Sequence, residues 1–250
     1  RSGEAKRLGI RMGAPYFENR RVIEERGVVV CSSNYELYAD MSRRVMCALR
    51  EFTPRVDIYS IDEAFVALGG GGRSLEERGL EIKKRVREWT GIPVSIGIAQ
   101  TKTLAKVAAR HTRKFAETGG VLDLSDGAVR TAVLEATKVE EVWGIGPACA
   151  KTLKESGIDT ARGLRDADGR WVRRRMTVVG APIVEELRGV RCLPLEMCPQ
   201  AKRSVTCSRS FGEPTGSPED LRDAVALYTE RAAERLRRAA LAASVVTVFI

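Results

Sequence analysis

The sequence predicts an α/β fold of the α+β kind, in which helices pack on a sheet, followed by a small all-helical domain and by the start of a second α/β domain. Helix and strand patterns alternate as far as Ser125, which is the order expected when helices cover a sheet. From 127 to 190 the strand patterns stop and short helical patterns remain. After 203 a strand pattern and a helix pattern follow again. These observations predict three structural parts.

Apolar spacing predicts the first elements. A helix is expected at 3–8 and another at 34–52, with a short buried strand between them at 27–32. The apolar run 56–68 (VDIYSIDEAFVAL) predicts one strand covered on both faces, since both alternate sets of its residues are mostly apolar. The glycines at 69–72 end this strand in a turn.

The first part is completed by a helix at 74–89, a strand at 92–99, a helix from Thr101 to about Phe115 and a strand at 121–124. In the all-helical part the helices are expected to break at glycines, namely Gly144, Gly146, Gly157, Gly163, Gly169 and Gly180. A basic linker at 198–203 then precedes a strand at 204–211, a helix at 218–241 and an apolar terminal strand at 245–250.

The composition is that of a globular protein with a polyanionic partner. The 250 residues are 44% apolar and 30% charged, and 42 Lys and Arg against 33 Asp and Glu give a net charge of +9. No apolar run reaches the roughly 18–20 residues of a membrane span, and the start has no secretory apolar core. We therefore expect a soluble intracellular protein with no membrane partner. Because the chain begins without Met and stops within an apolar run, we also expect it to be a fragment.

Cysteine and histidine usage restricts the possible metal. Six cysteines occur without a Cys-x-x-Cys pair, which indicates neither a zinc ribbon nor a disulfide framework. His111 is the single histidine, so the sequence offers almost no histidine from which to build a His-ligated metal site or a Ser-His-Asp triad. Any metal should be a hard cation bound by oxygen.

Asp62 and Glu63 are the strongest candidates for chemistry. In a strand covered on both faces, two adjacent carboxylates cost several kcal/mol unless something compensates them. Mg²⁺ can do so, because it takes one or two carboxylates and leaves positions for water and phosphate. The alternative is that the pair marks the solvent end of the strand or meets arginines.

The helix from Thr101 carries a basic stripe. Lys102, Lys106 and Arg110 recur every four residues, and no acidic residue occurs from 90 to 115. The resulting positive face predicts a contact with the phosphates of a nucleotide or of nucleic acid. A solvated helix face is the alternative, since most charge runs end as one.

The segment 142–158 (VWGIGPACAKTLKESGI) only partly resembles a Walker phosphate loop, because Ala150 stands in place of its second glycine. Interpreted as a helix, a hairpin at 144–146 and a second helix, it offers backbone amides at a helix N-terminus to a phosphate oxygen. This arrangement resembles the helix-hairpin-helix motif of sequence-independent DNA binders. A plain helical turn is the alternative.

Five motifs together give the chain a family resemblance. They are 59–65 (YSIDEAF), 91–106 (GIPVSIGIAQTKTLAK), the helix-hairpin-helix, 32–42 (SSNYELYADMS) and 207–213 (CSRSFGE). The first three resemble the Y-family translesion DNA polymerases, and the last two resemble the UmuC branch of that family. The likeness covers nearly the whole chain.

The resemblance implies four parts: partial fingers at 1–31, the catalytic palm at 32–126, a thumb with the helix-hairpin-helix at 127–199, and a linker with a partial little finger at 200–250. Asp62 and Glu63 match the family's adjacent palm carboxylates, which bind catalytic Mg²⁺, two ions in the intact enzyme. The opening palm strand, which carries a further metal-binding aspartate and the steric gate against ribonucleotides, has no counterpart in this sequence.

The resemblance also implies contacts residue by residue. Lys6 and Arg113 would contact the nucleotide, although Lys6 stands where relatives have Arg and Arg113 where they have Lys. Gly3 stands where many relatives have a Tyr that contacts the triphosphate. Contacts with DNA are implied for Lys102, Lys106, Gly144, Ile145, Gly146, Lys151 and Arg209.

The implied activity is error-prone, template-directed nucleotidyl transfer from dNTP to a primer 3′-hydroxyl past damaged DNA, in repair and the SOS response. The implied partners are primer-template DNA, dNTP, a UmuD-type protein, a recombinase filament and the sliding clamp, in the bacterial cytoplasm at the nucleoid. Without the opening palm strand, the chain by itself is expected to be inactive. Two alternatives stay open: a non-catalytic DNA-binding relative, and a palm-type nucleotidyl cyclase, against which the hairpin argues.

Overall fold

A computed structural model describes residues 1–69, 72, 74–197 and 203–250 of the chain. The chain divides into two compact units, Arg1–Met197 and Cys198–Ile250. Most of the predicted linker at 198–203 and part of the predicted turn at 69–72 lie outside the described residues.

The first unit alternates helices with short strands and then becomes helical. Its helices are α1 (Gly3–Arg7), α2 (Tyr16–Glu25), α3 (Tyr35–Arg50), α4 (Leu75–Thr90), α5 (Lys102–Thr112), α6 (Gly127–Ala136), α7 (Pro147–Glu155), α8 (Ala161–Asp166) and α9 (Gly169–Leu187). Its strands are β1 (Val56–Ile58), β2 (Ala64–Val66), β3 (Ile96–Ile98) and β4 (Val121–Asp123). Short 3-10 turns lie at Ala116–Thr118 and Val139–Glu141.

Cap residues explain where the predicted helices begin. The side chain of Asn34 caps α3, and that of Thr101 caps α5, each by accepting a hydrogen bond from a backbone N–H of the first turn. Ser74 and Glu77 form a reciprocal capping box at the start of α4. That helix ends at Gly91, whose φ of 73° favours glycine. The three helices predicted in this region are therefore confirmed, with ends shifted by a few residues.

The prediction of one continuous strand at 56–68 is wrong. The chain instead forms an antiparallel hairpin of β1 and β2. The backbone N–H groups of Tyr59 and Ser60 both donate to the carbonyl oxygen of Glu63, at 3.1 and 3.0 Å, and close the turn. Asp62 and Glu63 thus lie in the turn and not inside a covered strand, so the burial cost that singled them out does not arise. The turn contains no glycine, proline or asparagine to mark it in the sequence.

Two helices enclose the second pair of strands. β3 and β4 are parallel neighbours. A Cβ atom at Gly97 would lie 2.1 Å from the carbonyl oxygen of Ala105, so α5 packs directly on β3. A Cβ atom at Gly79 would lie 3.2 Å from Cδ1 of Ile98, which places α4 close to the neighbouring residue of the same strand. Because neighbouring strand residues point to opposite faces, α4 and α5 cover opposite faces of the pair.

Other predicted strands are shorter or absent in the described residues. No strand forms at 27–32, where Val29 is 84% exposed, because an apolar run becomes a strand only where another strand pairs with it. The prediction at 92–99 reduces to the three residues of β3. The sequence patterns also missed α2, which has no buried residue and therefore no core-facing stripe to mark it.

One apolar core joins α5 to the helical part of the first unit. It includes residues on α5, α6, α7 and α9 that are at most 2% exposed: Leu104, Val107, Leu134, Leu153 and Leu187. The helical character of 127–190 is confirmed, but Gly163 and Gly180 lie inside α8 and α9 and do not break them. The domain boundaries, including the one between 126 and 127, stay predictions.

The second unit contains one long helix in its described part. Helix α10 (Pro218–Arg238) confirms the helix predicted at 218–241, and Ser217 caps it by accepting from Asp220 N–H. The strands predicted at 204–211 and 245–250 do not form, since neither segment pairs with another strand in the described residues. Across the described parts of both units, no helix combines the length and hydropathy needed to cross a bilayer.

Candidate active site

The turn of the β1–β2 hairpin contains two consecutive acidic residues, Asp62 and Glu63. Asp62 is exposed, its Oδ1 accepts a 2.7 Å hydrogen bond from the Ser60 hydroxyl, and its backbone N–H donates to Ser60 Oγ at 3.3 Å. Glu63 is half-buried, with 34% of its side chain exposed. The two residues predicted as the catalytic pair therefore lie together where a ligand from solvent can reach them.

Glu63 pairs with a lysine that is held between aromatic rings. The Nζ atom of Lys106 lies 2.6 Å from Glu63 Oε2, and 20% of the lysine side chain is exposed. The same Nζ lies 5.1 Å from the ring centroid of Tyr59 and 5.7 Å from that of Trp143. A cation over an aromatic face is attracted by the ring quadrupole. Lys106 is thus fixed by one carboxylate and two rings.

The rings around Lys106 form a small cluster. The centroids of Tyr59 and Trp143 are 5.3 Å apart in an edge contact, and Phe65 lies 6.0 Å from Tyr59 and 5.8 Å from Trp143. The indole N–H of Trp143 donates to the Tyr59 hydroxyl oxygen at 3.1 Å. The hairpin is thereby attached to the residue that precedes the Gly144–Gly146 loop.

A second lysine of α5 pairs with a buried aspartate on β1. Lys102 Nζ lies 2.5 Å from Asp57 Oδ2, with 12% and 7% of the two side chains exposed. The same Oδ2 accepts a 3.0 Å hydrogen bond from the backbone N–H of Glu196. Lys102 Nζ also lies 5.0 Å from the ring centroid of Phe65. The sequence patterns did not single out Asp57, because it reads as an ordinary polar residue of a strand.

The C-terminal end of α5 meets a third acidic residue. Glu141 lies 3.5 Å from the guanidinium of Arg110 and 2.6 Å from Lys114 Nζ. Burial raises the pKa of Glu141, but the hydrogen bond and charge of Lys114, together with Arg110, outweigh this and hold the pKa below its ordinary value of 4.5. Glu141 comes from the 3-10 turn that precedes the Gly144–Gly146 loop.

The strongly positive face predicted on α5 is largely neutralised in the structure. Acidic residues distant in sequence neutralise its basic side chains, so the absence of nearby acids in the sequence did not indicate a free stripe. Lys102 and Lys106 are also largely buried. Their assignment as contacts for DNA stays a prediction, while their contacts in the structure position the hairpin. Arg113, predicted to contact nucleotide, is exposed at the C-cap of α5.

The Gly144–Gly146 loop combines one buried residue with two exposed glycines. Ile145 is only 8% exposed and packs in the core, whereas the flanking glycines lie at the surface. Gly144 has φ of +88°, and Gly146 caps α7 with no neighbour within 4 Å of a Cβ built there. Lys151, on α7, is 79% exposed and 3.9 Å from Glu155. A 3-10 turn precedes this loop, so the helix-hairpin-helix motif stays a prediction.

Glu186 on α9 fixes the start of α5 and was not predicted. It is completely buried, and its Oε2 accepts a 2.9 Å hydrogen bond from the backbone N–H of Thr103. Its Oε1 accepts from the N–H groups of Cys192 and Leu193 at 3.0 and 3.1 Å. Thr101 Oγ1 donates to its backbone carbonyl at 2.8 Å. This residue holds three segments of the first unit together.

Two further residues are predicted to contact nucleotide or DNA. Lys6 is exposed in the last turn of α1, and Arg209 is exposed in the second unit. Their roles toward nucleotide and DNA stay predictions.

Asp62 and Glu63 offer oxygen ligands of the kind that Mg²⁺ takes. In the described part of the chain, no group of three or more His, Cys, Asp or Glu side chains converges as a metal site. Mg²⁺ needs only one or two protein carboxylates and completes its shell with water and substrate phosphate. Asp62, which is exposed, and Glu63, which is half-buried, fit that requirement when Glu63 releases Lys106 or binds the ion through its other oxygen.

Comparisons with known proteins identify the chain. The model of the impB/mucB/samB family matches residues 1–110, and the model of the C-terminal domain of that family matches residues 202–250. Protein UmuC of Salmonella typhimurium is 48% identical over 239 residues, which are 94% of this chain and 57% of that protein. The chain belongs to the impB/mucB/samB family.

Other relatives extend this result. Among impB/mucB/samB proteins, Protein MucB of Escherichia coli is 40% identical over 248 residues, covering 98% of this chain and 59% of that protein. DNA polymerase IV of Saccharolobus solfataricus is 33% identical over 159 residues, covering 62% of this chain and 43% of that protein. The chain thus spans 57% and 59% of the lengths of the UmuC and MucB proteins.

Solved structures show the fold of this impB/mucB/samB chain. A Y-family DNA polymerase chimera matches with a TM-score of 0.76 and 21% identity, over 92% of this chain and 66% of that one. An insertion ternary complex of Dbh DNA polymerase matches with a TM-score of 0.66 and 23% identity, over 78% of this chain and 56% of that one. The fold is that of the Y-family DNA polymerases, which confirms the predicted fold class. The matches to the family models and to Protein UmuC confirm the predicted family resemblance.

Proposed function

We propose that the protein to which this chain belongs is an error-prone translesion DNA polymerase. It transfers a nucleotide from dNTP to the 3′-hydroxyl of a primer opposite a damaged template. The observation that carries the proposal is the hairpin turn, which contains the consecutive residues Asp62, exposed, and Glu63, half-buried. Relatives named DNA polymerase IV and a similar structure named as an insertion ternary complex support this choice of substrates.

The residues of the hairpin take distinct roles in this mechanism. Asp62 and Glu63 would hold Mg²⁺, which would supply Lewis-acid stabilisation of the attacking and leaving oxygens. The hydroxyl of Ser60 fixes the orientation of Asp62 through its 2.7 Å hydrogen bond. Lys106 limits the motion of Glu63 by an ion pair that is itself held between two rings. The site is therefore organised before its substrates arrive.

Surface residues supply the contacts with substrates. Arg113 and Lys6, both exposed cations, contact the triphosphate of the incoming nucleotide. The Gly144–Gly146 loop and Lys151 hold the duplex backbone, where an open glycine at the N-terminus of α7 lets a phosphate approach the backbone amides. Arg209 adds a contact from the second unit. Contacts of this kind fix position without reading sequence.

The proposed activity places the protein in the bacterial cytoplasm at the nucleoid, in the SOS response. A UmuD-type protein, a recombinase filament and the sliding clamp are its proposed partners, by the family resemblance. Each of these can be tested for binding once the activity is established.

The experiment is primer extension by the natural polypeptide that carries this sequence, with Mg²⁺ or Mn²⁺ and a template that bears one abasic site. Asp62→Asn and Glu63→Gln preserve side-chain shape and remove charge, and each should lower the insertion rate by more than about a hundredfold. Glu88→Gln is the matched control, since Glu88 is an exposed carboxylate 3.8 Å from Lys84. Circular dichroism shows whether the variants fold.

Normal extension by both carboxylate variants would exclude them as metal ligands. If the wild-type polypeptide binds primer-template DNA but extends no primer with either metal, the non-catalytic DNA-binding relative becomes the better description.

A further inference from the structure

Trp143 contacts the catalytic hairpin although it belongs to the loop region of the helical part. Its indole N–H donates to the Tyr59 hydroxyl oxygen at 3.1 Å, and its ring lies 5.3 Å from the Tyr59 ring and 5.7 Å from Lys106 Nζ. Tyr59 begins the turn that carries Asp62 and Glu63. Trp143 therefore contacts both the residue that opens this turn and the cation that holds Glu63.

Two residues close to Trp143 in the chain, one before it and one after it, anchor its segment to the core. Val142 and Ile145 are 2% and 8% exposed and pack among the helices of the first unit. Trp143 itself is half-buried and is absent from that apolar cluster. Val142 and Ile145 thus pack in the core, whereas the indole of Trp143 contacts the hairpin. The next residue, Gly144, opens the loop to which the proposed function assigns the DNA backbone.

We propose that Trp143 is a positioning residue that couples DNA binding at the Gly144–Gly146 loop to the position of the Glu63 carboxylate. The coupling runs through Lys106 and Tyr59. This inference rests on the proposed function and adds to it a link between the two sites. A loop that shifts when it binds phosphate moves Trp143 with it, because the two are adjacent in the chain. The indole then shifts Lys106, and Lys106 shifts Glu63 through their 2.6 Å ion pair.

The chemistry of the contact suits this role. A lysine ammonium on a flexible four-carbon stem has many orientations, and two ring faces with one carboxylate restrict it to few. Replacement of the indole by an aliphatic side chain of smaller size removes one ring face and the hydrogen bond to Tyr59. A displacement of about 1 Å in a group that orients the reacting atoms costs roughly a hundredfold in rate.

The test compares Trp143→Leu with Trp89→Leu in the natural polypeptide. Trp89 is 51% exposed on α4 and serves as a matched control for loss of an indole. Trp143→Leu should lower the rate of single-nucleotide insertion about tenfold to a hundredfold, while the Kd for primer-template DNA changes less than about twofold. Its Mn²⁺ affinity, measured by electron paramagnetic resonance without substrate, should fall, and Trp89→Leu should change none of these values.

A double-mutant cycle separates positioning from simple structural support. In a Lys106→Met background, Trp143→Leu should have little further effect on rate, because the two substitutions remove the same link. Trp143→Phe keeps a ring over Lys106 and loses only the N–H, so it should recover most of the rate. The Lys106 ε-proton resonances should also lose their ring-current shift in Trp143→Leu and keep part of it in Trp143→Phe.

The outcomes distinguish the two proposals. Multiplicative rate losses in the cycle, or a loss of DNA affinity equal to the loss of rate, would overturn the role of Trp143 while polymerase activity stands. A wild-type polypeptide without polymerase activity would instead overturn the proposed function. In that case an unchanged Mn²⁺ affinity and an unchanged Lys106 resonance in Trp143→Leu would also overturn the link to Glu63.

Discussion

The carboxylate of Glu186 accepts a 2.9 Å hydrogen bond from the backbone N–H of Thr103, a residue 83 positions earlier in the chain. Thr103 lies in the first turn of α5, whose N–H groups have no partner within the helix and attract negative charge. The other oxygen of Glu186 holds the segment at 192–193. The helix that supplies Lys102 and Lys106 to the hairpin is therefore fixed at its start by a buried acid from the helical part.

Substitution of Glu186 should destabilise the first unit. Glu186→Ala removes the carboxylate partner of the buried Thr103 N–H and of the half-buried N–H groups of Cys192 and Leu193, which should lower the free energy of unfolding by about 3–5 kcal/mol. Glu185→Gln is the control, because Glu185 forms a partly exposed pair with Arg188 at 2.8 Å and should change stability by less than about 1 kcal/mol. Urea denaturation measures both. A loss for Glu186→Ala no greater than that of the control would contradict the role assigned to this acid.

The buried pair of Lys102 and Asp57 should behave as a coupled unit. Lys102→Met alone leaves the Asp57 carboxylate, whose side chain is only 7% exposed, without its cation. This should lower the free energy of unfolding by about 3–5 kcal/mol. Lys102→Met combined with Asp57→Leu removes both charges and should cost less than the single variant, although Glu196 N–H then loses its acceptor. Urea denaturation of the wild type, of Lys102→Met, of Asp57→Leu and of the double variant completes the cycle. A double variant less stable than Lys102→Met would refute the coupling.

Local signals in the sequence were sufficient for most helices. The capping box of Ser74 and Glu77 and the glycine at 91 lie within one or two turns of the helix that they delimit, so their meaning does not depend on the rest of the fold. The strands were harder, since a strand needs a partner that the local sequence does not specify. The hairpin turn at 59–63 contains Ser60 and Asp62 but no glycine or proline, and because apolar residues surround these two, the pattern predicts one strand.

One of the two arguments for the candidate site fails in the structure. Asp62 and Glu63 do not carry the burial cost expected of a covered strand, because they lie in an accessible turn. The family resemblance, which indicates the same two residues, does not depend on their burial. The acids that neutralise α5 could not be predicted, because Asp57 and Glu141 reach it across 45 and 27 positions of the chain. Only the folded chain brings such charges together. The position of Trp143 next to the glycine loop is visible in the sequence, but no local pattern predicts that its ring contacts the hairpin.

Glu141 should give the first unit a stability that depends on pH. Its folded-state pKa lies below its ordinary value of 4.5, so the ionised form stabilises the fold above that pH, and this contribution is lost as pH falls through the folded pKa. Glu141→Gln should therefore reduce the free energy of unfolding by about 1 kcal/mol at pH 7, and by less near pH 3. Lys114→Met should give a similar pH-dependent loss. An equal loss from Glu141→Gln at both pH values would argue against the charge as its cause.

The two glycines of the Gly144–Gly146 loop should separate folding from DNA binding. Gly144 has φ of +88°, and a Cβ there would lie 2.6 Å from Ile183 Cδ1, so Gly144→Ala should cost roughly 1–2 kcal/mol of stability. Gly146 has φ of −79° and ψ of 170°, a conformation that a residue before proline favours, and the space around it is open. Gly146→Val should therefore keep the fold within about 1 kcal/mol. The valine side chain would stand between a phosphate and the backbone amides of α7. The Kd for duplex DNA should therefore rise about tenfold, which corresponds to about 1.4 kcal/mol.

Fluorescence anisotropy with two duplexes of unrelated sequence, each titrated at several salt concentrations, measures this effect. Backbone contacts predict the same rise in Kd for both duplexes and a steep dependence of affinity on salt, since phosphate binding releases counterions. Gly169→Val is the matched control, because Gly169 begins α9 and its Cβ position is also open. If Gly146→Val binds both duplexes as tightly as Gly169→Val does, the loop does not approach the DNA backbone. If the two duplexes differ in their response, the contact reads bases, and the assignment of the loop to sequence-independent binding fails.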